Sequence, residues 1–245
     1  MKTIATIAVS LLAAGQGAAQ QTYPAPADLQ TFYLYFLNTG PNSGKGTPEE
    51  RKEIQAQHMA HLNSLGDAGK IGGPFVNGGE RRGLVILQAD SLDAARAIGE
   101  ADPAVKAGTF TVETYTLMVP GNWFAFGPVP EAVTMRRFVF FFLDHAPGRP
   151  ANTPAEEMAK LQDAHLASLY RLSRDGKLIL AGPLTGGGAH RGIGVMATED
   201  IEEARTWMAD DPLVKGGYLV MVPLQWFAAD GILRKMGTDP IFYKP

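Results

Sequence analysis

The chain has 245 residues and a formal net charge of −3, with 45% hydrophobic and 19% charged residues, which is ordinary globular composition. This length allows one large domain or two of about 100 residues each. The near-neutral charge and the lack of a basic stripe argue against a nucleic-acid partner. Because the chain has no cysteine, disulfides, thiolate catalysis and cysteine-ligated metal sites are excluded.

Residues 1–20 differ from the rest of the chain. Lys2 is followed by an apolar run from Ile4 to Ala14 and then by small residues. This order is typical of a secretory signal peptide, and the run is shorter than the roughly 20 apolar residues that span a bilayer. We therefore expect a cleaved signal peptide, a periplasmic or secreted protein and no membrane contact after cleavage. The alternative is an uncleaved anchor or a buried N-terminal helix.

The rest of the chain contains one pattern twice. Residues 31–41, TFYLYFLNTGP, correspond to residues 137–147, RFVFFFLDHAP. Residues 72–83, GGPFVNGGERRG, correspond to residues 181–192, AGPLTGGGAHRG. Because the matching segments keep the same order, the chain is a tandem duplication.

Further matches extend both copies toward their ends. They pair residues 47–50 with 153–156, 101–106 with 210–215, 118–120 with 221–223, and the Trp-Phe steps at 123–124 and 226–227. We place the first module at 31–120, a linker rich in proline at 121–135, the second module at 136–227 and a tail at 228–245.

The aromatic run that opens each copy is rich in strand-forming residues. Thr47 and Thr153 each precede a proline, and Glu50 and Glu156 lie three residues further on. This pattern predicts a capping box at the start of the first helix in both copies. The Gly-Lys pairs at 69–70 and 176–177 predict where these helices end.

The other elements complete a β-α-β-β-α-β order in each copy, which is the ferredoxin-like arrangement. A glycine-rich turn leads to a hairpin arm, then a short helix and a last strand, at 83–89, 91–101 and 110–119 in copy one and 192–198, 200–210 and 218–222 in copy two. Helices cover only one face of such a sheet. We therefore predict an α+β fold in which two tandem ferredoxin-like modules pack sheet to sheet as an intramolecular dimeric α+β barrel.

One histidine lies on the apolar stripe of the first helix in each copy. His58 shares its stripe with Leu62, and His165 shares its stripe with Leu169. A packed core histidine is the alternative interpretation. The repetition favours a functional role, because histidine is kept where leucine or methionine would pack as well.

Asp102 and Asp211 each precede a proline after the second helix. An Asp-Pro step is a common turn former, which is sufficient reason for a carboxylate there. The functional interpretation pairs each aspartate with the histidine of its copy. A carboxylate that accepts from one ring nitrogen fixes the tautomer and makes the other nitrogen a better proton acceptor.

Other candidate sites are weaker. His58 and His61 have a spacing that metals use, but position 168, which matches His61, is serine, so we predict no metal site. Arg82 and Arg191 follow the glycine turn and are candidates for binding an anionic substrate, although solvated arginines explain them as well. The glycine runs join two strands, which favours hairpin turns over a phosphate cradle.

Three segments together resemble the YCII-related (YciI-like) family, a branch of the dimeric α+β barrel superfamily. They are the His-x-x-x-Leu helix that leads to Gly-Lys, the Gly-Pro turn that ends in Arg-Gly, and Asp-Pro-x-Val-Lys-x-Gly. The resemblance covers about 31–119 and 136–223. It implies a ferredoxin-like fold, dimerisation through the sheets, and a His–Asp site made here by His58 with Asp102 and by His165 with Asp211.

Relatives in the superfamily include lactone isomerases and a dehydrochlorinase, which move protons on small ring compounds without a metal or organic cofactor. The resemblance therefore implies an isomerase or lyase that needs no cofactor and acts on a small molecule. The alternative is a non-catalytic module that binds a small ligand or a protein. We expect an internal pseudo-dimer, with further homo-oligomers left open.

The chain departs from this family in two ways. Family members are usually cytosolic single modules, whereas this chain is duplicated and carries the signal-like segment. The first copy also lacks two residues between Lys70 and Pro74 relative to Lys177–Pro183. We expect this deletion to alter the pocket wall near His58.

Overall fold

The computed structural model describes residues 29–66, 71–120, 124, 134–186 and 188–229. The signal peptide predicted at 1–20 lies outside the described residues, as do most of the linker and most of the tail. No helix in the described part of the chain is both long and apolar enough to cross a membrane.

Within the described residues, each module has four strands and three helices. In the first they are β1 (Leu29–Thr39), α1 (Pro48–Ser64), β2 (Ile71–Pro74), β3 (Arg81–Leu87), α2 (Leu92–Glu100), α3 (Pro103–Lys106) and β4 (Phe110–Pro120). In the second they are β5 (Met135–His145), α4 (Ala155–Arg174), β6 (Leu178–Thr185), β7 (His190–Met196), α5 (Ile201–Met208), α6 (Pro212–Lys215) and β8 (Leu219–Ala229). The predicted β-α-β-β-α-β order is confirmed in both copies, with a one-turn helix added before each last strand.

The strands form one eight-stranded antiparallel sheet in the order β2-β3-β1-β4-β6-β7-β5-β8. The modules join where Leu117 of β4 pairs with Leu184 of β6. The other edges meet through a bridge between Phe75 and Trp226, beside a 2.8 Å hydrogen bond from the Val76 N–H to the Gln225 carbonyl. The sheet therefore curls into a nearly closed barrel, and the predicted intramolecular α+β barrel is confirmed.

Alternation along the strands separates the barrel interior from the layer under the helices. Phe36 of β1 points inward and meets Phe140 and Phe142 of β5 at centroid distances of 6.0 and 5.0 Å. Tyr35 points outward and packs with Leu37 and neighbours from the helices of module one. Aromatic side chains from both modules thus form a shared interior core.

The predicted capping box is present in α1 and absent from α4. The Thr47 side chain accepts from the Glu50 N–H, and the Glu50 carboxylate accepts from the Thr47 N–H at 2.7 Å. Helix α4 begins one residue later than α1 relative to the repeat, with Pro154 as its N-cap and no side-chain cap. Its candidate, Thr153, is instead hydrogen-bonded to the Tyr218 hydroxyl at 2.7 Å.

The last strand of the second module is longer than predicted, since β8 continues to Ala229 and contains the Trp-Phe step. The alignment of the two Met-Val-Pro segments was also wrong. Met118 lies opposite Thr31, and the residue opposite its counterpart Arg137 is Phe227. Strand register therefore makes Met118 equivalent to Phe227, because the chain from each Asp-Pro step to the strand has the same length in both copies.

The two-residue deletion is accompanied by a different packing of the first helix of module one, α1, on the rest of its module. Strand β2 has four residues, whereas β6 has eight and an irregular register between Leu178 and Leu180. Helix α4 packs against β6, and its last turns bury Leu172 and Ser173. Helix α1 ends at Ser64, packs mainly against α3 and buries one residue, His58.

Candidate active site

In the structure, His58 of α1 contacts Asp102, which directly precedes α3. The His58 Nδ1 lies 2.6 Å from Asp102 Oδ2. The other carboxylate oxygen, Oδ1, accepts the Ala104 N–H at 2.8 Å and so caps α3. Asp102 has no exposed surface. Asp102 therefore forms the turn and pairs with the histidine at the same time, because each contact uses a different carboxylate oxygen.

The second module repeats this arrangement. The His165 Nδ1 lies 2.7 Å from Asp211 Oδ2, and Asp211 is again fully buried. Its Oδ1 accepts the N–H groups of Leu213 and Val214 at 3.1 and 3.3 Å, which caps α6. A carboxylate held by backbone donors cannot swing away, so both imidazoles are fixed in orientation.

The second nitrogen, Nε2, of each imidazole makes no hydrogen bond to any described residue. Neither atom is among the sealed polar atoms without a partner, and the two side chains keep 9% and 8% exposure. Since a neutral ring must donate from Nδ1 to the carboxylate, Nε2 carries the lone pair. Each site therefore presents one free, oriented proton acceptor to its surroundings.

The two sites differ in the residues around the pair. The His58 ring meets Phe110 edge-on at 5.6 Å, and strand register places Leu219 at the matching position. Tyr35 lies beneath site one, and its equivalent in site two is Phe141. Burial first and then the negative charge of Asp102 raise the pKa of Tyr35 far above its usual value, so its hydroxyl stays neutral.

The two arginines predicted to bind substrate, Arg82 and Arg191, are exposed. A β-bulge explains their placement. Leu37 pairs with Gly83 and Asn38 pairs with Arg81, so Arg82 is the extra residue. The same irregularity makes Arg191 extra in the second module. No described residue forms an ion pair or hydrogen bond with the guanidinium group of either arginine, and their predicted role stays a prediction.

The bulge turns the preceding residues, Arg81 and His190, into the barrel. The Arg81 guanidinium bonds to His190 Nε2 at 2.6 Å, to Asn38 Oδ1 at 3.1 Å and to Glu113 Oε2. His190 Nδ1 lies 2.6 Å from Asp144 Oδ1. Because arginine only donates, His190 accepts at Nε2 and donates from Nδ1 to Asp144. This cluster, Asn38, Arg81, Glu113, Tyr115, Asp144 and His190, joins the modules across the interior.

The sequence interpretation missed this central cluster. Arg81 and His190 occupy matching positions in the two glycine-turn segments, so the pseudo-twofold brings them together. Burial by itself would raise the pKa of Glu113, but hydrogen bonds from Tyr115, Arg81 and Asn38 and the Arg81 charge bring it below the usual 4.5. Burial and Glu113 raise the pKa of Tyr115 to about 12. Every side chain in the cluster has a partner, which indicates a module-joining role.

The spacing of His58 and His61 had been considered as a metal site, and the sequence predicted none there. Among the described residues there is no group of three or more His, Cys, Asp or Glu side chains arranged to hold a metal ion. His61 Nε2 is buried without a hydrogen-bond partner. Its equivalent, Ser168, accepts a 3.3 Å hydrogen bond from Arg171, so this position is not conserved between the copies.

Comparison with known families agrees with the duplicated fold. The YCII-related domain matches the chain twice, at residues 31–118 and 140–227. The protein therefore belongs to the YCII-related domain family and carries two copies of its domain. No curated protein matches the sequence significantly.

Several solved structures share the fold. A heme-binding protein from Thermus thermophilus is 15% identical, with a TM-score of 0.51 and coverage of 84% of this chain and 94% of that chain. A mutant chlorite dismutase from Candidatus Nitrospira defluvii is 10% identical, with a TM-score of 0.53 and coverage of 86% and 93%. At these identities the likeness shows the fold alone.

A third match is to one protein of single-module size. The 5-chloro-2-hydroxyhydroquinone dehydrochlorinase from Burkholderia phenoliruptrix is 27% identical and covers 34% of this chain and 89% of its own. Its TM-score is 0.27, so it carries no structural argument.

Proposed function

We propose that the protein is an enzyme that moves protons on a small organic molecule, with His58 and His165 as general acid/base and Asp102 and Asp211 as their orienting partners. The observation that carries this proposal is the repeated pair, in which Nδ1 is held at 2.6 or 2.7 Å and Nε2 has no hydrogen-bond partner among the described residues. An imidazole in this arrangement is suited to proton transfer near neutral pH.

The reaction class follows from the groups available. Nε2 takes a proton from a carbon of the substrate, and the resulting imidazolium returns that proton to another atom of the same molecule. The buried aspartate stabilises the cationic ring between these steps. Such an isomerisation balances without an oxidant or reductant. The same first step serves a lyase if a leaving group departs with the electron pair.

Deuterium exchange tests the proposal without knowledge of the full reaction. Small lactones and chlorinated phenols are incubated with the protein in D₂O, and proton NMR follows the loss of their C–H signals. We expect exchange with the wild-type protein and a fall of about 10²–10⁴-fold in the His58→Asn/His165→Asn double variant. Each single variant should lose only the part of the exchange rate that its own site contributes.

A matched control separates this chemistry from a general effect on the helix. His61→Asn removes an imidazole from α1 three residues from His58, and it should leave exchange unchanged. Exchange that persists in the folded double variant, or is absent from the wild-type protein for all these compounds, contradicts the proposal. In the second case the histidines are those of a non-catalytic binding module.

Haem ligation is a second candidate function. A metal-bound histidine usually donates its other N–H to a carboxylate, as His58 and His165 do here, so either residue would be able to ligate a haem iron. The iron would supply redox chemistry that the side chains lack. Added haemin should then give a Soret shift that is lost in His58→Ala or His165→Ala. Unchanged spectra in the wild-type protein exclude this candidate.

We also propose that the protein acts in the periplasm or outside the cell. The basic and apolar pattern of residues 1–20 supports this location. Mass spectrometry of the protein recovered from each cell fraction tests it. An exported form without about the first 20 residues is the expected result, and a full-length cytosolic form is the contradicting one.

A further inference from the structure

Tyr35 carries a polar group that the proposed proton transfer does not use. The side chain is fully buried in the centre of β1, and its hydroxyl has no hydrogen-bond partner among the described residues. A buried hydroxyl without a partner loses its hydration and gains nothing in return. Native structures contain few such groups, and each calls for a physical explanation.

Packing does not explain the hydroxyl. The equivalent position in module two is Phe141, which is equally buried and fills the same layer between sheet and helices. Phenylalanine therefore satisfies the packing of this position without the cost of an unpaired oxygen. The hydroxyl of Tyr35 is therefore a polar difference between the two sites, and the charge of Asp102 acts on it.

The surroundings of Tyr35 place it beneath the His58–Asp102 pair. Tyr35 belongs to a buried cluster against which Leu62 of α1, Val105 of α3 and Phe110 pack. Phe110 is also the residue against which the His58 ring packs, and the charge of Asp102 acts on the Tyr35 hydroxyl. The imidazole, the carboxylate and the phenol thus share one small region under α1.

Helix α1 is the element that covers this region, and it is weakly anchored. His58 is its one buried residue, whereas α4 buries His165, Ser168, Leu172 and Ser173. Elements that bury few apolar side chains open at low free-energy cost. Opening of the last turn of α1, where Leu62 and Leu65 pack against the cluster that contains Tyr35, therefore exposes the Tyr35 hydroxyl and leaves the His58–Asp102 pair in place.

We propose that Tyr35 is a substrate-binding residue of site one, where its hydroxyl donates a hydrogen bond to an oxygen of the molecule that His58 deprotonates. The inference rests on the proposed function and narrows its substrate class. Site one takes a compound with a carbonyl, phenol or lactone oxygen close to the reacting carbon. Site two has Phe141 at this position and does not require such an oxygen in its ligand.

Binding of two matched probes tests this inference. 4-Chlorophenol and chlorobenzene differ by one oxygen, and each is titrated into protein with ¹³C-labelled histidine. The His58 signal reports site one and the His165 signal reports site two in the same sample. We expect site one to bind 4-chlorophenol about 10-fold more tightly than chlorobenzene, as one hydrogen bond allows, and site two to show no such preference.

The variant Tyr35→Phe carries the module-two residue and should fold normally. We expect it to lose the preference at His58, to bind chlorobenzene as before, and to keep or raise the melting temperature. An unchanged preference, a marked loss of stability, or a His58 signal that responds to neither probe overturns the inference. Because binding needs no turnover, a preference that persists when deuterium exchange is absent rejects the proposed reaction while keeping Tyr35 as a binding residue.

Discussion

The two modules contain the same His–Asp pair, but the helix that carries the histidine is anchored differently in each module. In module two, α4 is 20 residues long and rests on an eight-residue strand, whereas in module one α1 is 17 residues long beside a four-residue strand. The His–Asp geometry is thus duplicated, whereas the anchoring of the helix above it is not. The difference teaches that a two-residue deletion can change how a helix is anchored while the histidine on it keeps the same side-chain exposure, 9% in module one and 8% in module two.

The largest expected effect is the loss of either aspartate. Asp102→Ala and Asp211→Ala each remove a buried carboxylate that caps a short helix and holds an imidazole, so we expect a loss of about 3 kcal/mol in the free energy of unfolding. Urea denaturation measures it. Asp211 accepts two backbone N–H groups and Asp102 accepts one, so the loss should be larger for Asp211→Ala. Asparagine keeps an oxygen for the cap, so equal losses for the Ala and Asn variants would contradict the capping role.

Hydrogen exchange compares the two covers directly. Helix α4 buries Leu172, and the equivalent Leu65 lies beyond the end of α1 and is half-buried. Full burial of a leucine contributes about 2 kcal/mol and Leu65 keeps part of that, so the amides of α1 should open with about 1 kcal/mol less free energy than those of α4. Native-state exchange followed by NMR gives both values. Equal protection of the two helices would contradict the weaker anchoring of α1.

Glu113 of the central cluster has no carboxylate equivalent in module two, since Val222 takes its position there. We expect Glu113→Gln to lower the free energy of unfolding by about 1–3 kcal/mol at pH 7, because hydrogen bonds to a charged group are lost. The folded pKa of Glu113 is below the usual 4.5, so its contribution is present above that pH and lost as the pH falls through the folded value. Denaturation from pH 7 to pH 3 should show the wild-type and Gln curves converging. A constant difference would contradict this account.

The smallest expected effect concerns the helix starts. Thr47→Ala removes the capping box of α1 and should cost about 1 kcal/mol. Thr153→Ala removes a hydrogen bond to Tyr218 and no cap, so it should cost about as much or less without any change at the start of α4. Unfolding free energies and amide exchange at the two starts separate the cases. Fraying of α4 in Thr153→Ala would show that Thr153 caps it after all.

Local sequence patterns were sufficient to predict most of the fold. Strand-forming aromatic runs, glycine turns and the repeat itself gave the element order and the barrel. The apolar stripe around His58 and the Asp-Pro steps indicated which residues meet. Three features were beyond this reasoning. The β-bulge reverses which of Arg81 and Arg82 faces inward, strand register pairs Met118 with a different counterpart, and Thr153 bonds to Tyr218 instead of capping α4. Each depends on contacts between segments distant in the chain.

The central claim is that both modules present the same imidazole nitrogen, Nε2, as the proton acceptor. Two-dimensional ¹H–¹⁵N correlation NMR of the ring nitrogens reads the tautomer of each neutral histidine directly. Our account predicts that His58 and His165 both carry the proton on Nδ1 and have an unprotonated Nε2. A proton on Nε2 in either neutral ring would contradict the account for that module.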